Sequence, residues 1–224
     1  MIRAFIQARM SSNRFPGKVL APFHGLPIIA HVFERVSKVI TPDLITVVTS
    51  TEKSDDPLAF YLQMMNISVF RGPLENVFMR FRQCLEHNPC DWILRLSADS
   101  PLLNVETLQQ VINRAEGNDC DLITTIFPRT FPKGQNAELI RAKTLIRIDV
   151  SELSEDEQEH VTPYFYSHAD RFRIVNIASE DHRMAMLSLA IDTVEDFQRL
   201  EKLSVMDGQK ISFSALSTLL QNAS

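Results

Sequence analysis

The chain has 224 residues, 45% hydrophobic and 23% charged, with 23 Lys and Arg against 28 Asp and Glu for a net charge of -5. This is the balance of an ordinary globular chain: an acidic total disfavours non-specific nucleic-acid binding, and no apolar run approaches the roughly 18 residues of a membrane span. Three cysteines without a C-x-x-C pair argue against a disulfide framework or a cysteine-ligated zinc site and fit a reducing cytoplasm, and six glycines leave little for a phosphate loop built from backbone alone.

Along the chain, strands and helices alternate. Ile2 to Ala8 is rich in β-formers, and Pro27 opens a helix that sets Ile28, Ile29, Val32, Phe33, Val36 and Val39 at helical spacing. The polar loop between them holds Arg9, Arg14 and Lys18; residues 1–40 carry a net +5, leaving -10 for the remainder. Leu44 to Thr49 predicts a second strand, and Asp55, Asp56 and Pro57 a cap and first turn for a helix through about Met65. Ile67 to Phe70 reads as a third strand. After the turn at Gly72 and Pro73, Val77, Phe78, Phe81 and Leu85 line one helical face. Met64, Met65, Phe78 and Phe81 read as core packing, and Cys84 as a buried, inert thiol. Trp92 to Leu96 makes a fourth strand ending at Ser97-Ala98-Asp99, Asn104 caps the following helix, and Asp121 to Thr125 makes a fifth strand. This order implies an α/β fold of three layers, a mostly parallel sheet with helices on both faces.

Beyond residue 126 the pattern loosens into an excursion around 127–170, within a chain that reads as the single domain 1–224. A short helix is expected at Ala142 to Ile148, and five acids fall between Ser151 and His160. Val161 to Tyr166 fits a helix or a strand. Phe172 to Ile177 and Leu187 to Ile191 read as strands, and Thr193 caps a helix to about Met206 with Asp196 at the capping-box position. A last helix is expected over Ala215 to Gln221.

In open parallel sheets, ligands bind beyond the carboxyl ends of the strands. Two loops there carry chemistry. The first, residues 8–18, offers two guanidiniums and an ammonium, groups suited to phosphate oxygens. It is not a Walker A loop, because Ser12 stands at the first glycine and Val19 follows Lys18; the G-x-G-x-x-G fingerprint is absent as well. A bound triphosphate would therefore be held by side chains. The second loop places Asp99 before Ser100 and Pro101, where it serves either as a turn residue or as a ligand to Mg²⁺. Asp192 ends an apolar run and likewise serves either the helix that Thr193 caps or a metal. Asp55 and Asp56 serve either a metal site or, with less assumption, the helix cap, and His160 is either a structural histidine at a helix start or a group that orients a sugar or accepts a proton.

Ile6-Gln7-Ala8-Arg9-Met10-Ser11-Ser12-Asn13-Arg14-Phe15-Pro16-Gly17-Lys18-Val19-Leu20 resembles the opening signature of the cytidylyltransferases, in particular the SpsF-like branch of spore-coat polysaccharide synthesis, with the CMP-KDO and CMP-sialic acid synthetases as more distant relatives. Gly25-Leu26-Pro27-Ile28, Asp55-Asp56-Pro57, Ala98-Asp99-Ser100-Pro101-Leu102, Glu159-His160-Val161-Thr162-Pro163-Tyr164 and Asp192-Thr193 extend the likeness in order along nearly the whole chain. The resemblance implies a nucleotide-diphospho-sugar transferase (Rossmann-like) fold and Mg²⁺-dependent transfer of CMP from CTP to a sugar or sugar phosphate, with release of pyrophosphate, for surface polysaccharide or glycoconjugate synthesis. It further implies a homodimer, with acceptor and dimer contacts in the excursion. Arg9, Arg14 and Lys18 are then catalytic and grip the triphosphate, with Ala8, Ser11, Arg80 and Asp99 completing the nucleotide site; Asp99 and Asp192 hold Mg²⁺, and Gln135, Asn136, Glu138 and His160 face the acceptor. Asn136 and Asn76 stand where the family has Asp. Two other readings are a glycosyltransferase using a nucleotide-sugar, whose usual Asp-x-Asp turn Asp99-Ser100-Pro101 lacks, and an inactive nucleotide-binding protein.

Overall fold

The structure is a computed structural model and describes residues 1–203 and 216–218. In chain order its elements are β1 (Ile2–Gln7), β2 (Pro22–Phe23), β3 (Leu26–Pro27), α1 (Ile28–Ser37), β4 (Ile45–Ser50), α2 (Asp56–Met64), β5 (Ser68–Gly72), α3 (Val77–His87), β6 (Trp92–Ser97), α4 (Val105–Asn113), β7 (Leu122–Thr124), β8 (Glu138–Arg141), α5 (Ala142–Arg147), α6 (Glu155–His160), α7 (Pro163–Ser167), β9 (Ile174–Asn176) and α8 (Val194–Glu201). Seven strands form one sheet in the order β5-β4-β1-β6-β8-β7-β9, while β2 and β3 pair as a separate antiparallel hairpin. All neighbours in the large sheet are parallel except β8, which runs antiparallel to β6 and β7.

Strand alternation distributes the apolar residues to two cores. Ala4 and Ile6 of β1 face one side with Val32 and Val36 of α1, Leu58 and Leu62 of α2, and Leu108 and Val111 of α4. Phe5 faces the other, with Phe78 and Phe81 of α3, Leu145 of α5, and Tyr164 and Phe165 of α7. Both sides of the sheet are therefore covered, as the alternating pattern predicts. Because β1 is buried between β4 and β6, the loops leaving β1 and β6 emerge side by side, with Gln7 in register with Ser97.

Several expectations need correction. Met64 and Met65, read as core, are 67% and 54% exposed, and α2 buries Leu58, Ala59 and Leu62 instead. Leu187–Ile191 is not a sheet strand: it makes one isolated bridge, between Lys133 and Ser188, and buries Leu189 and Ile191 in a third apolar cluster with Phe23, Ile28 and Leu200. β8 was not expected, since a strand that begins on a carboxylate carries no apolar signal until its partner, Arg95 in register on β6, is known. Of the two alternatives for Val161 to Tyr166 the helix holds, residues 163–166 falling in α7. Phe78, Phe81 and Cys84 are buried as expected, and burial pushes the Cys84 thiol up to about 12. The helix capped by Thr193 ends at Glu201, with Lys202 as its C-cap, short of the Met206 expected; of the last expected helix only 216–218 are described, and they are helical. No helix among the described residues is long and apolar enough to cross a membrane.

Candidate active site

The loop after β1 is fixed to its neighbours before any ligand is considered. Ala8 N–H donates to Val48 O (3.2 Å), and Met10 N–H to Asp55 Oδ1 (2.7 Å). Asp55, read more simply as a cap for α2 than as a metal ligand, makes no capping bond; its other oxygen accepts from Thr49 Oγ1 (2.9 Å), Ser50 N (3.0 Å) and Ser50 Oγ. Burial works against the Asp55 carboxylate, but these donors outweigh it and hold its pKa below the usual range. The loop then closes by Gly17 N–H to Met10 O (2.8 Å), with Gly17 at φ +74°, the left-handed conformation that favours glycine. A short 3-10 turn over Lys18–Leu20 follows and sends the Lys18 side chain inward, where it is buried.

Lys18 Nζ donates to Ile191 O (2.8 Å), Asp192 Oδ1 (3.2 Å) and Asp99 Oδ2 (3.4 Å). Asp99 and Asp192 come from loops far apart in sequence, brought together by a backbone bond from Ile191 N–H to Asp99 O (2.8 Å). Neither carboxylate caps a helix. Asn104 caps α4 through Thr107 N–H, and Thr193 with Asp196 forms the capping box of α8. Both aspartates are thus left facing the cleft. Asp192 Oδ2 also accepts from Lys133 Nζ and lies 3.3 Å from Arg14 Nη2. Burial again opposes the charged form, but the Lys133 and Lys18 ammoniums overcome it and bring the Asp192 pKa down to about 2.

These groups line a cavity of about 320 Å³ at the carboxyl ends of β1 and β6, which includes Ala8, Arg9, Arg14, Lys18, Asp99, His160 and Asp192. Ser12 and Asn13 line it where Ser11 was expected. Opposite the loop stands the end of α6, with Glu159 Oε1 accepting from Arg9 Nη2 at 3.0 Å and His160 beside it. A tight turn anchors that wall: Thr162 N–H donates to His160 O (2.8 Å) across buried Val161, whose φ of +69° is strained for a β-branched residue. Asn76 caps α3 and donates to Gln158 Oε1 (2.8 Å), tying α3 to α6.

The remaining expected site residues divide. Asn136 and Glu138 line a second cavity, of about 140 Å³, that shares Arg95, Ser97 and Asp99 with the first. Glu138 is fully buried and committed to protein partners: its carboxylate pairs with Arg95 and accepts from Tyr166 Oη (2.5 Å). Asn136 Oδ1 accepts from Arg129 Nη1 (2.7 Å). Gln135 lies outside both linings and braces the loop after Asp99, accepting from Asn104 N–H and donating to Leu102 O, both at 2.7 Å. Arg80 also lies outside them, fully buried beneath the Gly72 turn, where Nη1 donates to Pro73 O (2.6 Å) and Leu74 O (3.2 Å). Burial lowers its pKa to about 10 despite the nearby Asp55. Arg95 and Lys133 are charged cleft residues to which the sequence assigned no role: Arg95 sits inside the apolar run of β6, and Lys133 in the turn between two prolines and β8, where a single charge looks like solvated surface.

A family model for cytidylyltransferases matches residues 4–222. The spore coat polysaccharide biosynthesis protein SpsF of Bacillus subtilis is 33% identical over 96% of this chain and 92% of its own length. The 3-deoxy-manno-octulosonate cytidylyltransferase 2 of Hydrogenovibrio crunogenus is 27% identical over 92% of this chain and 86% of its own. A solved cytidylyltransferase from Leptospira borgpetersenii superposes with a TM-score of 0.86 at 27% identity, covering 99% of this chain and 94% of that one. A family model that spans nearly the whole chain, 33% identity to SpsF over almost its full length and a shared nucleotide-diphospho-sugar transferase fold place the chain in the cytidylyltransferase family of nucleotidyltransferases.

Proposed function

We propose that the protein transfers CMP from CTP to a sugar or sugar phosphate and releases pyrophosphate, as a step in surface polysaccharide or glycoconjugate synthesis. The observation that carries this reading is the convergence of Asp99 and Asp192 on Lys18, at 3.4 and 3.2 Å, beside Arg9 and Arg14. In the reaction an acceptor oxygen bonds to the α-phosphorus, the bond from that phosphorus to its bridging oxygen breaks, and the electron pair leaves on pyrophosphate while the acceptor proton passes to water. Such a displacement asks the protein for alignment and charge neutralisation. Arg9 and Arg14 offer forked donors to phosphate oxygens, and Lys18 a point charge held in place by three acceptors.

The donor set also fits Mg²⁺, which takes one or two carboxylates together with phosphate oxygens and water. Asp99 and Asp192 supply those two carboxylates, and no cluster of three or more His, Cys, Asp or Glu side chains competes among the described residues. When bound there, the ion would offset triphosphate charge. SpsF and the manno-octulosonate enzyme, by their names, act in polysaccharide synthesis and on an acidic sugar, which supports this acceptor class.

Incubation with CTP, Mg²⁺ and a panel of acidic and phosphorylated sugars tests the reading. Pyrophosphate release with formation of a CMP-sugar is expected. Sugar transfer from a supplied nucleotide-sugar, or CTP binding without turnover on any acceptor, would overturn it. The homodimer expected from the family resemblance is tested by sedimentation at assay concentration, where a monomer counts against it.

A further inference from the structure

We infer that Lys133 is a further catalytic residue, a cation that contacts the transferring α-phosphoryl group; the inference rests on the CMP transfer proposed above. Lys133 belongs to the turn that leads into β8, outside the basic loop. Its backbone is fixed in both directions, Lys133 N–H donating to Leu187 O (3.0 Å) and Leu189 N–H to Lys133 O (2.7 Å). Gly134 then turns at φ +90°, so close to the facing segment that a Cβ would stand 2.6 Å from both Ala190 N and Leu189 C. That same segment runs directly into Asp192. The Lys133 ammonium therefore meets Asp192 Oδ2 from a rigid backbone pairing, while its own side chain remains 53% exposed.

Position decides what this ammonium can meet. Lys133 lines the second cavity with Asn136 and Glu138, and that cavity joins the nucleotide cleft at Arg95, Ser97 and Asp99. In a transfer between two substrates the phosphorus is the atom both must reach, so it belongs where the two cavities meet. Asp192 lines the first cavity and Lys133 the second, and their ion pair spans the junction. Arg14 and Lys18 approach Asp192 from the loop after β1, whereas Lys133 approaches from the turn before β8. Exchanging a carboxylate oxygen for a phosphate oxygen requires only rotation of its flexible, half-exposed stem. Lys133 keeps its proton and forms no covalent bond; it offsets charge on the α-phosphoryl oxygens as the acceptor attacks.

Calorimetric titration with CMP and with cytidine isolates this contact, because the two probes differ by the α-phosphate alone. Lys133→Met is expected to weaken CMP binding about 10-fold, the scale of one hydrogen bond to a charged group. Cytidine binding should not change, and Lys133→Arg should recover most of the CMP affinity. Undiminished CMP affinity in folded Lys133→Met overturns the inference, as does an equal loss for cytidine, which would mark a general disturbance of the cleft. If the unmodified protein binds neither CMP nor CTP, the nucleotide-transfer reading itself falls, and this inference with it.

Discussion

At the scale of single residues, the site is a set of charges that hold one another in place before any substrate arrives. Lys18 is pinned by two carboxylates and a carbonyl, which fixes its position at the cost of neutralising it; a triphosphate must compete for that ammonium. Lys18→Ala is expected to lower turnover by about 10² to 10³-fold, the usual effect of losing one electrostatic stabiliser. Near-normal turnover by folded Lys18→Ala protein would remove it from the mechanism. Asp192 adds a pH dependence whose sign follows from its depressed pKa. Its ion pairs stabilise the fold fully above the unfolded carboxylate value of about 4, and that contribution is lost as pH falls towards about 2. Denaturant titrations of Asp192→Asn against the unmodified protein should show a stability gap that is constant near neutral pH and shrinks below it. A gap that widens on acidification would assign the shift to some other group. Asp55 shows what residue-level reading misses: Asp-Asp-Pro reads as a helix start, whereas its buried carboxylate actually ties Met10 of the basic loop to β4.

At the scale of elements, legibility followed the range of the signal. The strands β1, β4 and β6 declare themselves as short β-rich runs buried on both faces, and the helices α1, α3 and α4 by a local period that matches the face each buries. Asp99 was legible as a cleft residue because it follows β6, and strand ends are where such folds bind ligands; Asp192 follows a segment outside the sheet and is brought to the cleft by the backbone bond from Ile191 to Asp99. β8 and Leu187–Ile191 were not, because their character depends on partners elsewhere in the chain. Glu138 becomes compatible with a buried strand only through Arg95 and Tyr166, and Leu187–Ile191 takes its single bridge from Lys133 instead of a ladder. The contact at Gly134 makes the second case testable. Gly134→Ala combines a positive φ with a 2.6 Å backbone contact, so it should destabilise the protein by about 1–3 kcal/mol. It should also weaken CTP binding, because the displaced turn carries Lys133 away from Asp192. Equilibrium unfolding with parallel CTP titration checks both effects, and unchanged CTP affinity would show that the turn does not position the cleft.

At the scale of the whole molecule, a net charge of -5 and a cleft for an anion pull in opposite directions. The basic groups of the first 40 residues include Arg9, Arg14 and Lys18, all of which line the cleft, so the attraction is local while the repulsion is spread over the surface. Ionic strength separates the two. At about 0.01 M the screening length is roughly 30 Å, long enough for an approaching nucleotide to feel the acidic total; at about 0.1 M it is near 10 Å, and only the cleft is felt. Association of CTP should therefore accelerate between these two conditions, opposite to the usual behaviour of an oppositely charged pair. At higher salt, weakening of the partly exposed Arg9 and Arg14 contacts should raise the dissociation rate, so that affinity passes through a maximum. Stopped-flow binding across the salt series reads both rates. An association rate that falls steadily from the lowest salt upward would mean that the field of the cleft outweighs the acidic surface even at long range, and that the uneven placement of charge, rather than its total, governs capture of the nucleotide.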